Sequence, residues 1–220
     1  MNSIVRIIGI LAGMIAFAAC AMDTPEDAFG STTTPDNPVQ AYMMNIADNL
    51  VCDNLRELES ALKVSQEAGL GKYFYTTGGK SLYEDGAEWT VNREGNLTGL
   101  TIKKVAGSNA WDLQYKGKYS FSGSSYEIVL NLTAEQDDAT ATGHQNWKVV
   151  LDGSRTEDGE YRCTFSSVDA PVKYKTIGED NNLWNAFGYL LMTVFKGGTQ
   201  VDKVVMELAG GKSDSSIVHI

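Results

Sequence analysis

The sequence predicts a mainly β protein of the α+β class, in which one long N-terminal helix packs on a curled antiparallel sheet or an open barrel. Apolar residues first recur with the 3.6-residue period of a helix, between about residues 38 and 68. From about residue 70 almost to the end they instead alternate with polar residues, and turn sequences separate the alternating segments roughly every ten residues. This second pattern is typical of an antiparallel meander. A two-sheet β-sandwich is the alternative architecture.

Length and charge restrict what the protein can be. The chain has 220 residues, which is enough for one ordinary domain after a targeting segment. Of its 18 basic residues only Arg6 precedes Cys20, so the remainder carries 17 basic against 28 acidic residues, a net charge of −11. Such a charge repels phosphate backbones and anionic lipid headgroups. We therefore expect no nucleic-acid partner.

Residues 1–19 have the features of a secretory signal peptide. Arg6 lies in a short leading region, an apolar stretch runs from Ile7 to Phe17, and small residues follow. The apolar stretch is shorter than the roughly 20 residues that a transmembrane helix needs. We expect this segment to be removed from the mature protein.

The residues Phe17-Ala18-Ala19-Cys20 resemble the lipobox of bacterial lipoproteins. In that family the signal peptidase cleaves before the cysteine, and the cysteine thiol is diacylated. The resemblance implies that Cys20 is the lipid-attachment site and that fatty acyl chains such as palmitate anchor the protein in a membrane. Ordinary secretory cleavage after Ala18 or Ala21 is the alternative, and it would give a secreted or periplasmic protein.

The segment after Cys20 looks like a flexible tether. Residues 20–37 are rich in Thr, Asp, Pro and Ser and offer almost nothing apolar to bury. Asp23, Glu26 and Asp27 are similar to the acidic segment behind the anchor of surface-exported lipoproteins of the Bacteroidetes type. This similarity implies an outer-membrane or cell-surface location. Residues 38–220 are then expected to form a single domain.

That domain begins with the predicted helix. Asn37 suits the N-cap, Pro38 the first helical position and Gln40 the third position of a capping box. The helix is predicted to run to about Ala68, with Gly69 as its left-handed C-terminal cap. Its apolar stripe comprises Met43, Met44, Ala47, Leu50, Val51, Leu55, Leu58, Ala61 and Leu62.

Alternation identifies the strands and their inward faces. The inward residues are predicted to be Trp89, Val91, Trp111, Leu113, Tyr115, Tyr119, Phe121, Tyr126, Ile128, Leu130, Leu132, Trp147, Val149, Leu151, Tyr161, Cys163 and Phe165. Turns are predicted at Lys116-Gly117 and Gly197-Gly198, among other places. The segments Tyr189 to Phe195 and Val201 to Leu208, separated by the Gly-Gly turn, look like a more deeply buried hairpin.

The sequence offers no catalytic set. His144 and His219 are the two histidines, and neither lies in a recognisable nucleophile or metal motif. We expect no catalytic residues, no metal site and no cofactor. Carboxylates are plentiful, so the composition does not exclude a glycan hydrolase that uses two carboxyl groups.

Two further site hypotheses concern Trp184 and the cysteines. Trp184 follows Asp180, Asn181 and Asn182, so an exposed ring beside hydrogen-bonding groups could contact a ligand. Cys52 and Cys163 could form a disulfide in an oxidising compartment, although two independent buried thiols are the favoured interpretation.

These observations favour a lipid-anchored protein of the cell envelope with a non-catalytic binding or structural role. Its expected partners are the membrane, through the lipid, and an envelope protein or glycan. The alternatives are a lipocalin-like binder of a small ligand or glycan and a surface glycan hydrolase. "GAEW" lacks the G-x-W spacing of lipocalins by one residue.

Overall fold

The computed structural model describes residues 38–66, 74–76, 79–93, 96–121, 124–139, 145–156, 161–177, 183–210 and 216–220. They form one helical stretch and one antiparallel sheet of eleven strands. The strands are β1 Phe74–Thr76, β2 Glu88–Arg93, β3 Asn96–Lys104, β4 Ala110–Phe121, β5 Ser124–Ala139, β6 Gln145–Thr156, β7 Tyr161–Ser167, β8 Val172–Ile177, β9 Leu183–Lys196, β10 Thr199–Ala209 and β11 Ser216–His219.

The helical stretch consists of α1 (Pro38–Asn45), a π-helical segment (Ile46–Val51) and α2 (Cys52–Gln66). All nine residues of the predicted apolar stripe are buried, which confirms the amphipathic pattern. The π-helical segment was not predicted, because a single wider turn leaves no mark in the apolar period. The predicted caps Asn37 and Gly69 lie outside the described residues.

The strands form a single curled sheet rather than a sandwich, which confirms the predicted fold class. The order is β1-β2-β3-β4-β5-β6-β7-β9-β10-β11, and all pairings are antiparallel. Among the described strands β1 and β11 do not pair with each other, so the sheet stays open. Consecutive strands are neighbours at almost every step, as in the predicted meander.

β7 and β8 depart from the simple meander because together they fill one strand position. Both lie between β6 and β9, and both are antiparallel to these two neighbours. The break between them contains Asp169, whose φ is +60°, and Pro171, which has no N–H to donate. The break between β7 and β8 therefore lies where the backbone could not continue the regular hydrogen bonding of a strand.

The turn predicted at Lys116-Gly117 is wrong, because β4 runs without a break from Ala110 to Phe121. Gly117 serves side-chain packing instead: a Cβ there would lie 2.8 Å from the hydroxyl oxygen of Tyr115. The Tyr115 ring crosses the glycine, and its hydroxyl donates to the carbonyl of Lys118 at 3.2 Å. The turn predicted at Gly197-Gly198 is confirmed, with φ values of +55° and +83° between β9 and β10.

The helix occupies the concave face of the sheet, where both share one hydrophobic core. The indole N–H of Trp147 donates to the Glu59 carboxylate at 3.0 Å, and the Tyr174 hydroxyl donates to the carbonyl of Ala47 at 3.2 Å. The predicted inward residues for which the structure describes a side chain are buried, apart from the half-buried Tyr115. Tyr119, Phe121, Tyr126 and Tyr161 lie in strands, but their side chains are outside the description.

β9 is not the deeply buried strand that its sequence suggests. Its inward residues, such as Leu190 and Met192, are buried under the helix. Its outward residues Phe187 and Tyr189 are 37% and 47% exposed. The prediction that the segment from Tyr189 to Phe195 is more deeply buried is therefore wrong for the outer face at Tyr189, because no second layer covers that face in the described part of the chain.

Candidate functional site

The outer, convex face of the sheet carries an open groove with a volume of about 440 Å³. This volume lies in the range of small-molecule sites, about 300–1,000 Å³. Outward side chains of five neighbouring strands line it: Glu88, Thr101, Lys103, Asp112, Gln114, Asn131, Thr133, Val150 and Asp152. All but Val150 are polar. We call this surface the outer groove.

Strand register arranges these residues in two rows that cross the strands. One row runs from Glu88 through Lys103, Asp112 and Thr133 to Val150. The second row holds Thr101, Gln114, Asn131 and Asp152, in that order. Directly opposed residues have Cβ atoms about 5 Å apart, so their side chains form continuous ladders.

Hydrogen bonds link the second row into a chain. The Gln114 amide nitrogen donates to the Asn131 amide oxygen at 3.2 Å, and the Asn131 nitrogen donates to Asp152 Oδ1 at 2.7 Å. In the first row the Thr133 hydroxyl donates to Asp112 Oδ1 at 2.7 Å. These bonds hold the side chains in one orientation while leaving part of each group facing solvent, as a preorganised polar surface requires.

A second trough of about 340 Å³ continues the groove over β7 and β9 and shares Asn131 and Asp152 with it. The second row extends into this trough through Ser166 to Leu191. From Thr101 to Leu191 the row crosses six strands, or about 24 Å at 4.8 Å per strand. The groove is therefore shaped for an extended ligand.

The chemistry of the groove is polar rather than nucleophilic. Over the outer groove and the second trough together, eight residues carry hydroxyl or amide groups and five are charged, namely Glu88, Lys103, Asp112, Asp152 and Arg162. No histidine or cysteine lines it. In the described ranges no group of three His, Cys, Asp or Glu residues is placed to hold a metal ion.

Of the predicted ligand-contact residues, the structure describes only the backbone of Trp184. Trp184 is the second residue of β9, paired with Thr176, and its side chain lies outside the description. Asp180, Asn181 and Asn182 lie outside the described residues, as do Cys20 and His144. The signal that could have identified the groove was the polar identity of the outward positions, such as Gln114, Asn131 and Thr133, on adjacent strands.

Cys52 and Cys163 are both free thiols in the structure, and both are buried. Cys52 Sγ lies 3.5 Å from the carbonyl oxygen of Ala47, one turn earlier in the helix. Burial raises the pKa of both thiols, with a further increase for Cys52 from the nearby Asp48 carboxylate. A protonated, enclosed thiol reacts slowly, so these positions carry no chemistry of their own.

The described residues of the inner face are closely packed against the helix. The helix lies where a lipocalin-like protein would hold its ligand, and the inward residues Ile102, Leu130 and Val149 are 0% exposed. This packing weighs against the small-ligand alternative. No helix in the described part of the chain is long and apolar enough to cross a membrane.

Comparison of the chain with protein-family models, with curated proteins and with solved structures gives no match.

Proposed function

We propose that this is a lipid-anchored, non-catalytic protein of the cell envelope, attached through Cys20 at the outer membrane or cell surface, whose outer groove binds a neutral glycan. The observation that carries the binding role is the ladder of hydroxyl, amide and carboxylate groups across the groove. The lipobox-like residues before Cys20 support the location.

A glycan suits the groove because sugar hydroxyls both donate and accept hydrogen bonds. Gln114 and Asn131 present amide groups of the same dual character, and Asp112 and Asp152 present acceptors. The chain's net charge of −11 beyond residue 19 disfavours an acidic polymer. A neutral polysaccharide avoids this repulsion.

The direction of the groove favours a glycan over a peptide strand. The rows run across the strands, and the backbone groups of these inner strands already pair with their neighbours. A peptide lying along a row therefore could not add to the sheet through its main chain, which is the usual source of affinity in strand addition. Recognition must come from side chains, as in sugar binding.

The described carboxylates of the groove give the hydrolase alternative no support. A glycosidase places two carboxyl groups on either side of the scissile bond. Glu88, Asp112 and Asp152 instead all project from the same face of one sheet. We therefore favour binding without cleavage.

The anchor is tested by changing its cysteine. A Cys20→Ala variant is expected to lose all incorporation of labelled palmitate and to leave the membrane fraction, since two acyl chains are what make attachment stable. The matched control is Cys163→Ala, which removes a buried thiol and is expected to keep both properties. Equal labelling and fractionation of Cys20→Ala and the parent would contradict the anchor.

The groove is tested by affinity electrophoresis of the full chain in gels that contain soluble neutral polysaccharides: mannan, xylan, dextran and a mixed-linkage β-glucan. We expect at least one of them to retard the protein, and Asn131→Ala to weaken that retardation by about fivefold to tenfold, because its amide bonds both neighbours in the row. Gln114→Ala is expected to weaken it by a similar factor.

Gln200→Ala is the matched control, since it removes an exposed amide from the β9–β10 hairpin, away from the groove. Its retardation should equal that of the parent. Migration unaffected by every neutral polysaccharide would refute glycan binding, and undiminished retardation of Asn131→Ala would place any binding outside the groove.

A further inference from the structure

The outer face of the last strands carries an exposed apolar surface. Phe187 and Tyr189 of β9 and Val218 of β11 are 37%, 47% and 58% exposed, and Leu191 and Val205 between them are half-buried. We call these five residues the outer patch. Leu191 also lines the second trough, so the trough and the patch meet at this residue.

The sequence of β9 is typical of a strand whose two faces are both packed against other structure. From Phe187 to Phe195 the strand is apolar on both faces, a pattern typical of strands packed on two sides. The helix covers the inner face only. Contiguous exposed apolar residues on a soluble domain mark an interaction surface.

Two charged residues beside the patch, Lys203 and Glu207, indicate which kind of partner covers it. Along the outer face of β10, Lys203, Val205 and Glu207 follow one another at every second position, so a positive and a negative charge flank an apolar centre. The Tyr189 hydroxyl donates to Glu207 Oε1 at 3.3 Å and orients that carboxylate. Val205 lies in one row with Leu191 and Val218.

This arrangement is its own complement. Consider two copies that pack these outer faces together about a two-fold axis parallel to the row Leu191–Val205–Val218. The rotation reverses the direction of the strands in the second copy, but each strand stays opposite its own counterpart. Lys203 of each copy then lies opposite Glu207 of the other copy, which gives two oppositely charged pairs. Val205 of one copy lies opposite Val205 of the other. An isologous dimer requires this self-complementarity, and an unrelated partner gives no reason for it.

We propose that the outer patch is the interface of a homodimer, in which two copies pack their β9–β11 outer faces together about this axis. The patch covers about 14 by 17 Å, from three strands and five residues along them. That footprint is small for a protein interface, so the dimer is weak, with a dissociation constant in the micromolar range or above.

Charge reversal tests the axis directly. Sedimentation equilibrium of the full chain in density-matched detergent should show a monomer–dimer equilibrium. Lys203→Glu and Glu207→Lys should each weaken the dimer by about tenfold or more, because each creates two like-charge contacts. The double variant K203E/E207K should restore the parent's dissociation constant, and a mixture of the two single variants should form heterodimers.

Cysteine cross-linking gives a second, independent readout. Val205→Cys should form disulfide-linked dimers under mild oxidation, since the axis brings each Val205 to its own counterpart. Val150→Cys is the control: Val150 is 51% exposed on the same outer face but lies in the groove, so this variant should form no disulfide-linked dimer. Both variants should keep the parent's circular dichroism spectrum.

Two results would overturn the proposal. One is a parent protein that stays monomeric at every concentration and whose Val205→Cys variant does not cross-link above the level of Val150→Cys. The other is a dimer in which K203E/E207K is as weak as the single variants. That result would place the interface elsewhere.

Discussion

Replacing Gly99 by alanine is expected to lower the free energy of unfolding by about 3–4 kcal/mol. Gly99 lies in β3 with φ of +79°, a conformation that costs an alanine about 1–2 kcal/mol. A Cβ there would also lie 2.1 Å from the carbonyl oxygen of Lys116 on β4, so the two strands would have to separate. Displacing packed backbone in this way costs about 1–3 kcal/mol more.

Gly107→Ala separates these two contributions. Gly107 has a similar φ of +68°, but no atom lies within 4 Å of the position of its Cβ. We expect this variant to lose only about 1 kcal/mol, all of it from the backbone conformation. The measurement is urea unfolding followed by circular dichroism, and equal losses in the two variants would contradict the close approach of β3 and β4.

The second large effect is expected at Trp111, whose replacement by alanine should cost about 3–5 kcal/mol. The side chain is fully buried, and its indole N–H donates to the carbonyl of Leu82 at 2.8 Å. Its ring meets Trp147 edge-on, with centroids 6.0 Å apart. Trp111 therefore joins the loop before β2 to the centre of the core.

Trp111→Phe is the companion variant, since it keeps most of the apolar volume and removes the indole donor. It leaves the buried carbonyl of Leu82 without that bond, which should cost about 1–3 kcal/mol. Both losses are measured by urea unfolding. A loss below 1 kcal/mol for Trp111→Ala would mean that this tryptophan does not lie in the core.

The outer groove could not be predicted from the sequence pattern. Trp184 follows three polar residues in the sequence, but the order of residues along the chain does not reveal which strands neighbour it. The outer groove depends on Gln114, Asn131 and Asp152 sharing one row, and that row is set by the register of β4, β5 and β6. Register depends on turn geometry and core packing together, so it could not be predicted from single segments.

Glycines were ambiguous for a similar reason. Gly117 and Gly197 look alike in sequence, and both predict a turn. One gives room for a tyrosine ring within a strand, and the other forms a hairpin with positive φ. Only the neighbours in space distinguish these two uses, because a missing side chain serves a close approach as well as a left-handed backbone.

The sequence by itself determined the fold class: the helical stripe from Met43 to Leu62 and the alternating inward residues of the strands fix which faces are buried, because local periodicity follows directly from backbone geometry. The tertiary structure alone decided the surfaces available for function. It left Phe187 and Tyr189 exposed on a strand whose sequence indicates burial, and it aligned the polar residues of separate strands into one groove. The physical reason is that burial of a face is encoded locally, whereas juxtaposition of residues from different strands depends on pairing, register and curl of the whole sheet.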